Sequence, residues 1–432
     1  MYTTMLAASY WFHPATSTPT GIRRMRWAVF YTAVGAIVGW PFAAALGIPI
    51  IFEQLLVAGG EIVPPADRPA WSARRRSNLI FAIAAAALVA VPVILVDSWA
   101  YGRLVFPSLN IVMYNMFSRF GPDLYGTEPA SYYVANLFLN FNVFAPLALL
   151  SLPALAITYK YDFRRLGKTQ MRPKVGESSP YLLLANRLAP FYIWFIILTL
   201  QKHKEERFMF PAYPLLCFNA VVTVYLVRGW GETLFVKLTN SPYRAGRTSM
   251  FSMFTLAAIL IPSFLSIGRI VGMFKFYHAP FDVIHHLQYH TLPDVLADLG
   301  FSPIAYPSGY YPKPDEVPEW DLSPIAEMDP PITICYGTEW HRFPGSYLIP
   351  EGIEIQWIQT DFDGMMPRRW DPSENDGLWP RAETRAIHLG RFNGENKASA
   401  ENGTFVSIAF GYLQIRRTDN LHSVSHMKLA RT

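Results

Sequence analysis

Apolar residues gather into five long runs, over residues 79–96, 134–159, 181–200, 208–228 and 250–274. Each approaches or exceeds the ~20 residues that a helix needs to cross a bilayer. A further apolar region, 28–58, is interrupted by Trp40-Pro41 and by Gly47-Ile48-Pro49. Proline removes a helical hydrogen bond, so this region predicts one kinked helix or, as favoured here, a pair of short segments. Beyond residue 274 the pattern changes. The chain becomes polar and rich in Pro and Trp, and Ile353-Glu354-Ile355-Gln356-Trp357-Ile358 alternates with the period of two that predicts a β-strand. The organisation expected is a transmembrane region over 1–274, a folded extramembrane α/β domain over 275–405 and a tail over 406–432.

Composition supports the membrane reading. Only 16% of the 432 residues are charged, against 51% hydrophobic and 15% aromatic, whereas soluble domains carry roughly a quarter charged residues. Disordered, collagenous and disulfide-scaffold classes are excluded by the same figures, the last because the chain has two cysteines, Cys217 and Cys335. Residues 1–274 carry 24 Lys and Arg against 11 Asp and Glu, while residues 275–432 carry 13 against 21. A basic half and an acidic half belong on different sides of a membrane. Nucleic acid is a poor partner for the basic half, since its charges sit in loops between apolar runs.

Those loops decide orientation. Arg68, Arg74, Arg75 and Arg76 precede the 79–96 run; Lys160, Arg164, Arg165, Lys168, Arg172 and Lys174 fill 160–180; Arg228, Lys237, Arg244 and Arg247 edge or occupy 229–249. The positive-inside rule places these in the cytoplasm, together with Arg23, Arg24 and Arg26. The loop at 97–133, the short loop at 201–207 and everything after residue 274 then face the other side. The chain's one glycosylation sequon, Asn402-Gly403-Thr404, falls on that second side, which is where a sequon is usable. No signal peptide is visible, and the short apolar segment 1–12 reads as the end of something longer.

The residues able to carry chemistry concentrate in few places. His203, Lys204, Glu205, Glu206 and Arg207 are packed between two spans, in a loop with little length besides them. One reading is a solvated hairpin tip. The other notes that such side chains are held where a lipid phosphate head sits. Cations bind phosphate by charge-assisted hydrogen bonds, and the two glutamates can orient them. In the loop Gly121–Pro129, Asp123, Tyr125 and Glu128 are of the types that bind sugar hydroxyls, although a capped loop packed on the spans fits the same turns. Asp97 is a further carboxylate on that side. Arg187, beside Asn186 inside an apolar run, is a functional candidate because an ionisable group there is costly; Arg269, near its helix end, reads as snorkelling. His285, His286 and His290 form one histidine box where membrane oxygenases need several, so no metal is assigned. Motifs for nucleotide, zinc-protease or serine-hydrolase chemistry are absent from the sequence.

The run His203-Lys204-Glu205-Glu206-Arg207-Phe208 followed by Pro211-Ala212-Tyr213-Pro214 resembles the signature of glycosyltransferase family 22. More narrowly, residues 121–129 (GPDLYGTEP), 139–143 (LNFNV) and 334–344 (ICYGTEWHRFP) resemble its α-1,2-mannosyltransferases of N-glycan precursor assembly, over a stretch from the first residue to about 405. The resemblance implies a GT-C-like fold, with about six to seven transmembrane segments in this chain and a C-terminal luminal α/β domain. It also implies a multi-pass protein of the endoplasmic-reticulum membrane whose active side is luminal. The implied donor is dolichyl phosphate mannose and the implied acceptor a dolichyl-diphosphate-linked oligomannose, with no cofactor. His203, Lys204 and Arg207 take the donor phosphate, Glu205 and Glu206 orient them, and Asp123, Tyr125 and Glu128 meet sugar or acceptor. An inverting transfer needs a carboxylate to accept the proton of the attacking hydroxyl. The family's base is expected in a first luminal loop upstream of Met1, and Asp123 and Glu128 are the candidates within the chain. Asp315-Glu316, in the C-terminal domain, is not promoted to that role. The tail after Phe405 diverges from the family pattern.

Two other readings stay open at this point. A truncated, catalytically inactive membrane protein that binds lipid-linked glycan or a partner fits the missing base. A transporter predicts polar residues along several spans and inverted repeats, and only Arg187 answers to that.

Overall fold

A computed structural model of the protein describes residues 1–13, 17–59, 61–101, 104–117, 126–167, 175–308, 310, 318–337, 340–358, 362, 364, 366–367 and 405–406. The chain divides into two compact units, Met1–Arg269 and Ile270–Thr432.

The first unit is helical. It opens with α1 (Tyr2–Trp11) and α2 (Pro19–Val34). The Thr18 hydroxyl caps α2 by accepting from the Gly21 N–H at 3.2 Å, and Pro19 takes the first helical position, where no N–H is needed. α2 runs into a π-helical turn over Gly35–Gly39 and ends at Trp40, whose backbone is extended at φ −129°, ψ 118°. The ring of Pro41 excludes the helical conformation for the residue before it. A 3-10 turn over Pro41–Gly47 leads into α3 (Ile48–Leu56), so region 28–58 holds a pair of segments. There follow α4 (Arg68–Ala87), α5 (Ala90–Tyr101), α6 (Pro107–Phe117), α7 (Tyr132–Phe141), α8 (Phe144–Leu149), α9 (Ser151–Tyr161), α10 (Pro180–Leu200), α11 (Tyr213–Thr239), α12 (Pro242–Arg247) and α13 (Met250–Phe276).

Among the described residues, four helical runs are long and apolar enough to cross a membrane: Pro65–Trp99, Pro180–Leu200, Glu206–Thr239 and Met250–Asp298. The 21 residues of α10 rise about 31 Å at 1.5 Å each, close to the ~30 Å hydrocarbon core. The expected six to seven segments are thus four by this measure. Pro41–Leu56 is apolar but shorter, and the 134–159 stretch is divided among α7, α8 and α9. The first division falls at Asn142, which adopts φ 49°, a value open chiefly to Asn, Asp and Gly. Pro146 and Pro153 sit early in α8 and α9, where a missing N–H is tolerated.

α10 and α11 build the core of this unit. Phe191, Trp194 and Leu198 pack with Leu215, Leu216 and Ala220, against Tyr133 and Leu137 of α7 and Ala145 and Ala148 of α8. The small side chains on α8 let it approach α11 closely, the usual device where lipid removes the hydrophobic drive between helices. α13 turns Met253, Leu256, Ile259, Leu260 and Phe264 outward, a surface suited to acyl chains and not to water.

The second unit contains α14 (Ala279–His286), a π turn over Leu287–Thr291, α15 (Leu292–Asp298) and α16 (Ser323–Ala326), with β1 (Ile332–Tyr336), β2 (Ile353–Ile358) and β3 (Phe405–Val406). The strands form a parallel sheet in the order β1-β2-β3, with Ile332 opposite Ile353 and Ile334 opposite Ile355. β2 covers the run whose period of two predicted it. Ile332, Ile334 and Ile353 bury with Ile284, Leu292, Leu296 and Ile325. Gly352 turns the chain into β2 at φ +79°, where a Cβ would lie 2.4 Å from the Ala326 Cα.

Candidate functional site

α10 ends at Leu200, and Glu206 opens a 3-10 turn that feeds α11. The intervening loop is short, so its side chains must satisfy one another and the backbone around them. Lys204 is 6% exposed. Its ammonium donates to the carbonyl of Glu128 at 2.8 Å and to that of Gln201, while the Glu128 N–H donates to the Lys202 carbonyl at 3.0 Å. A buried ammonium needs such partners, and these bonds staple residues 126–128 to the loop. Phe208 fixes the other end: its carbonyl accepts from the Trp194 indole at 2.9 Å, and its ring sits 4.8 Å from that of Trp40.

The polar head of the loop centres on Glu205. One carboxylate oxygen takes His203 Nε2 at 3.0 Å and Arg207 Nη2 at 2.9 Å, and the other takes Arg207 Nε. His203 Nδ1 lies 2.8 Å from the Gly126 carbonyl, so both ring nitrogens face acceptors. The Tyr133 hydroxyl donates to the Glu205 carbonyl at 3.1 Å. Arg207 itself is 69% exposed. The structure therefore brings His203, Glu205 and Arg207 into one cluster with an outward guanidinium, and sets Lys204 beneath it.

Glu206 belongs to a second, unforeseen feature. Its carboxylate accepts from the Asn140 amide at 2.7 Å, and that amide also donates to Asn136 Oδ1 at 3.1 Å. Tyr132, Asn136 and Asn140 recur every four residues on α7, so they share one half-exposed face, while Tyr133 and Leu137 turn to the core. Burial, then the charges of Glu128, Glu206 and Glu205, raise the Tyr132 phenol at the start of α7, outside the 134–159 stretch. It remains a neutral hydroxyl. Hydroxyl, amides and carboxylate in a row suit a polyhydroxylated ligand. The spacing was visible in residues 132–140, but within an apolar run it reads as helix.

Arg187 resolves differently. It is 5% exposed and pairs at 2.7 Å with Glu53 of α3, which is 0% exposed; it also donates to the His13 carbonyl at 3.3 Å and stacks on Trp11 at 4.9 Å. Asn186 donates to the Pro49 carbonyl at 2.8 Å. This intramembrane arginine locks α10 to α3. Arg269 donates to the Leu139 carbonyl. His286 pairs with Thr291 at 3.2 Å and its ring lies 4.9 Å from that of His290; among the described residues no three His, Cys, Asp or Glu side chains form a metal-binding group. Glu128 is exposed and Asp97, on α5, half-buried. Asp123, Tyr125, Asp315, Glu316 and the Asn402 sequon lie outside the described residues.

Comparison with known proteins places this geometry. Residues 1–297 match the model of the Alg9-like mannosyltransferase family. The chain is 37% identical over 368 residues to the mouse protein named alpha-1,2-mannosyltransferase ALG9, a match covering 85% of this chain and 50% of the relative. It is 36% identical to the human protein of that name over the same shares, and 27% identical over 340 residues to that of Saccharomyces cerevisiae, covering 78% of this chain and 46% of the relative. The chain thus spans about half the length of the curated relatives it matches. No solved structure matches it. The signature loop, its anchoring to α7 and α10, and the match through residue 297 agree, and the chain belongs to the Alg9-like mannosyltransferase family.

Proposed function

We propose that the loop 201–208 is the donor-phosphate site of an α-1,2-mannosyltransferase of the endoplasmic-reticulum membrane. This enzyme moves mannose from dolichyl phosphate mannose to a dolichyl-diphosphate-linked oligomannose in N-glycan assembly. The observation that supports this reading most directly is Arg207: a guanidinium set by Glu205, 69% exposed, at the start of the second of two helical runs of membrane-crossing length. As the mannosyl–phosphate bond breaks, charge grows on the departing dolichyl phosphate. Fixed donors aimed at that charge stabilise the transition state more than the ground state. Arg207 supplies its outward N–H donors and Lys204 its charge from within the loop; His203, whose ring nitrogens both meet protein acceptors, backs them through Glu205, which orients Arg207, while Glu206 holds Asn140 at the edge of the site. The Tyr132–Asn136–Asn140 face beside Glu206 meets sugar hydroxyls, as do Asp123, Tyr125 and Glu128. The loop and the C-terminal unit are read as luminal, an orientation that the basic charge of the other loops supports. A GT-C-like arrangement of about six to seven membrane segments in this chain goes with that reading, the four long runs among them.

Membranes carrying the protein and its Arg207→Ala variant test this. The variant is expected to lower affinity for dolichyl phosphate mannose roughly 10-fold or more, the loss of charge-assisted hydrogen bonds to phosphate. Unchanged transfer and donor affinity would refute the phosphate role. Donor binding without transfer by the unmutated chain would select the non-catalytic, glycan-binding reading.

A further inference from the structure

A cavity of about 140 Å³ lies at the other end of α4 from its long apolar run, lined by Ser17, Gly21, Met25, Gln54, Arg74, Arg75 and Asn78 among others. None of these belongs to the signature loop. We propose that this cavity, between the first turn of α2, the end of α3 and the N-terminal half of α4, binds a phosphate group, either that of an anionic lipid head or free phosphate.

The polar groups around the cavity are mostly donors. Gln54 is 4% exposed, and its amide oxygen accepts from Arg75 Nε at 3.2 Å. That commits the oxygen and leaves the NH2 group, with two hydrogens, no acceptor among the described residues. Gln54 lines the cavity, so a ligand oxygen entering it is the natural complement of those hydrogens. Arg74 is exposed at the rim and pairs with no carboxylate among the described residues, and the half-buried Asn78 adds a second amide one turn further along α4. The cavity also meets Gly21, whose N–H is bonded to the Thr18 hydroxyl, in the first turn of the 16-residue α2, so that helix end contributes through its dipole. Arg75 is already spent: it donates to the Val57 carbonyl at 2.7 Å and the Glu53 carbonyl at 3.1 Å, and stacks on Trp71 at 4.6 Å.

Acidic groups are near but accounted for. Glu61 accepts from the Ser17 N–H, from the Ser17 hydroxyl at 3.1 Å and from the Trp71 indole at 2.9 Å, and Glu53 is the partner of Arg187. Arg74, Arg75 and Arg187 against Glu53 and Glu61 leave one positive charge uncompensated, and Arg74 is the one that faces outward. A volume of this size holds several water-sized groups, enough for a tetrahedral oxyanion. Ile22 and Met25 complete the lining with apolar surface that acyl chains can follow.

The test uses the purified chain in phosphatidylcholine nanodiscs doped with phosphatidic acid, read by native mass spectrometry, with inorganic phosphate as competitor. The unmutated chain is expected to retain phosphatidic acid over phosphatidylcholine. Arg74→Gln combined with Asn78→Ala is expected to lower that retention about 10-fold, as loss of a charge-assisted and a neutral hydrogen bond implies. Arg76→Ala, an exposed arginine that does not line the cavity, is expected to change it less than about 2-fold. Equal thermal melts of the variants show that they fold. Displacement of the lipid by inorganic phosphate identifies free phosphate as sufficient, and retention identifies the lipid head with its chains. Equal loss in the Arg76 variant, or full retention in the double variant, overturns the site by showing diffuse attraction to a basic surface.

Discussion

Arg187 and Glu53 permit the sharpest energetic test of this fold. Both are almost fully buried and meet at 2.7 Å, far from each other in sequence. Arg187→Met keeps an unbranched apolar stem and removes the charge, which takes the arginine's ion pair from the Glu53 carboxylate at 0% exposure. Removing one member of a buried pair costs about 3–5 kcal/mol, because the remaining charge keeps its desolvation cost and loses its compensation. The stacking on Trp11 and the bond to the His13 carbonyl are lost as well. Glu53→Leu with Arg187→Met removes both charges and refills the space with apolar volume. Such replacements are often near neutral, and the unmet His13 carbonyl leaves a residual cost of about 1–2 kcal/mol. The double variant is therefore expected to be more stable than the single by about 2–3 kcal/mol, a coupling outside the range of independent sites. Denaturation in detergent micelles, followed by tryptophan fluorescence, measures both. A single Arg187→Met variant within about 1 kcal/mol of the unmutated protein, or a double variant no better than the single, would show that the pair is hydrated and that the α3–α10 lock is wrong.

Other outcomes follow from the same structure. Lys204→Met removes two ammonium–carbonyl bonds from a buried position and is expected to destabilise by about 2–4 kcal/mol, with new proteolysis at residues 126–128. Arg207→Ala, being exposed, is expected to leave the melt within about 0.5 kcal/mol, so the pair of variants separates loop support from ligand contact. Gly176→Ala sets a Cβ 2.5 Å from the Val63 carbonyl oxygen at φ +90°, and the melt should show a loss of at least about 1–2 kcal/mol. Asp321 accepts from the Ser323 hydroxyl at 2.6 Å and the Ser323 N–H at 3.0 Å, which holds its carboxyl below the usual carboxylate range. The stabilisation from its two bonds to Ser323 is present above an unfolded pKa of about 3.9 and is lost as pH falls through the lower folded value. Exchange of the Ser323 amide, corrected for the intrinsic rate, should rise over that acidic window, and Asp321→Asn should abolish the dependence.

Most of the long helices were legible as patterns. The runs 181–200 and 250–274 correspond to α10 and α13 within two residues at each end, and the break at Trp40-Pro41 is where the helical backbone is interrupted. These features are local: apolar length sets a span, and a proline restricts its neighbour whatever lies around it. The alternation at 353–358 is local in the same way, and β2 occupies it. The division of 134–159 was less visible, since Asn142 reads as one polar residue in an apolar run until its positive φ is seen. The signature loop was legible as a cluster of charges, but its internal division of labour was not. Lys204 and Arg207 carry the same formal charge three residues apart, yet one is buried on two carbonyls and the other is 69% exposed.

Local sequence, then, determined which stretches are helical, where proline and glycine interrupt them, and that a run of charged residues fills one short loop. The tertiary structure alone decided which charges are spent. Arg187 meets Glu53 because α10 packs on α3, Glu206 meets Asn140 because α7 lies along the loop, and Gln54 keeps an amide open because Arg75 takes only its oxygen. The physical reason is that burial and pairing are pairwise properties of residues distant in sequence. Periodicity reports the environment of one helix face, whereas the state of a charge depends on the second group that folding brings against it.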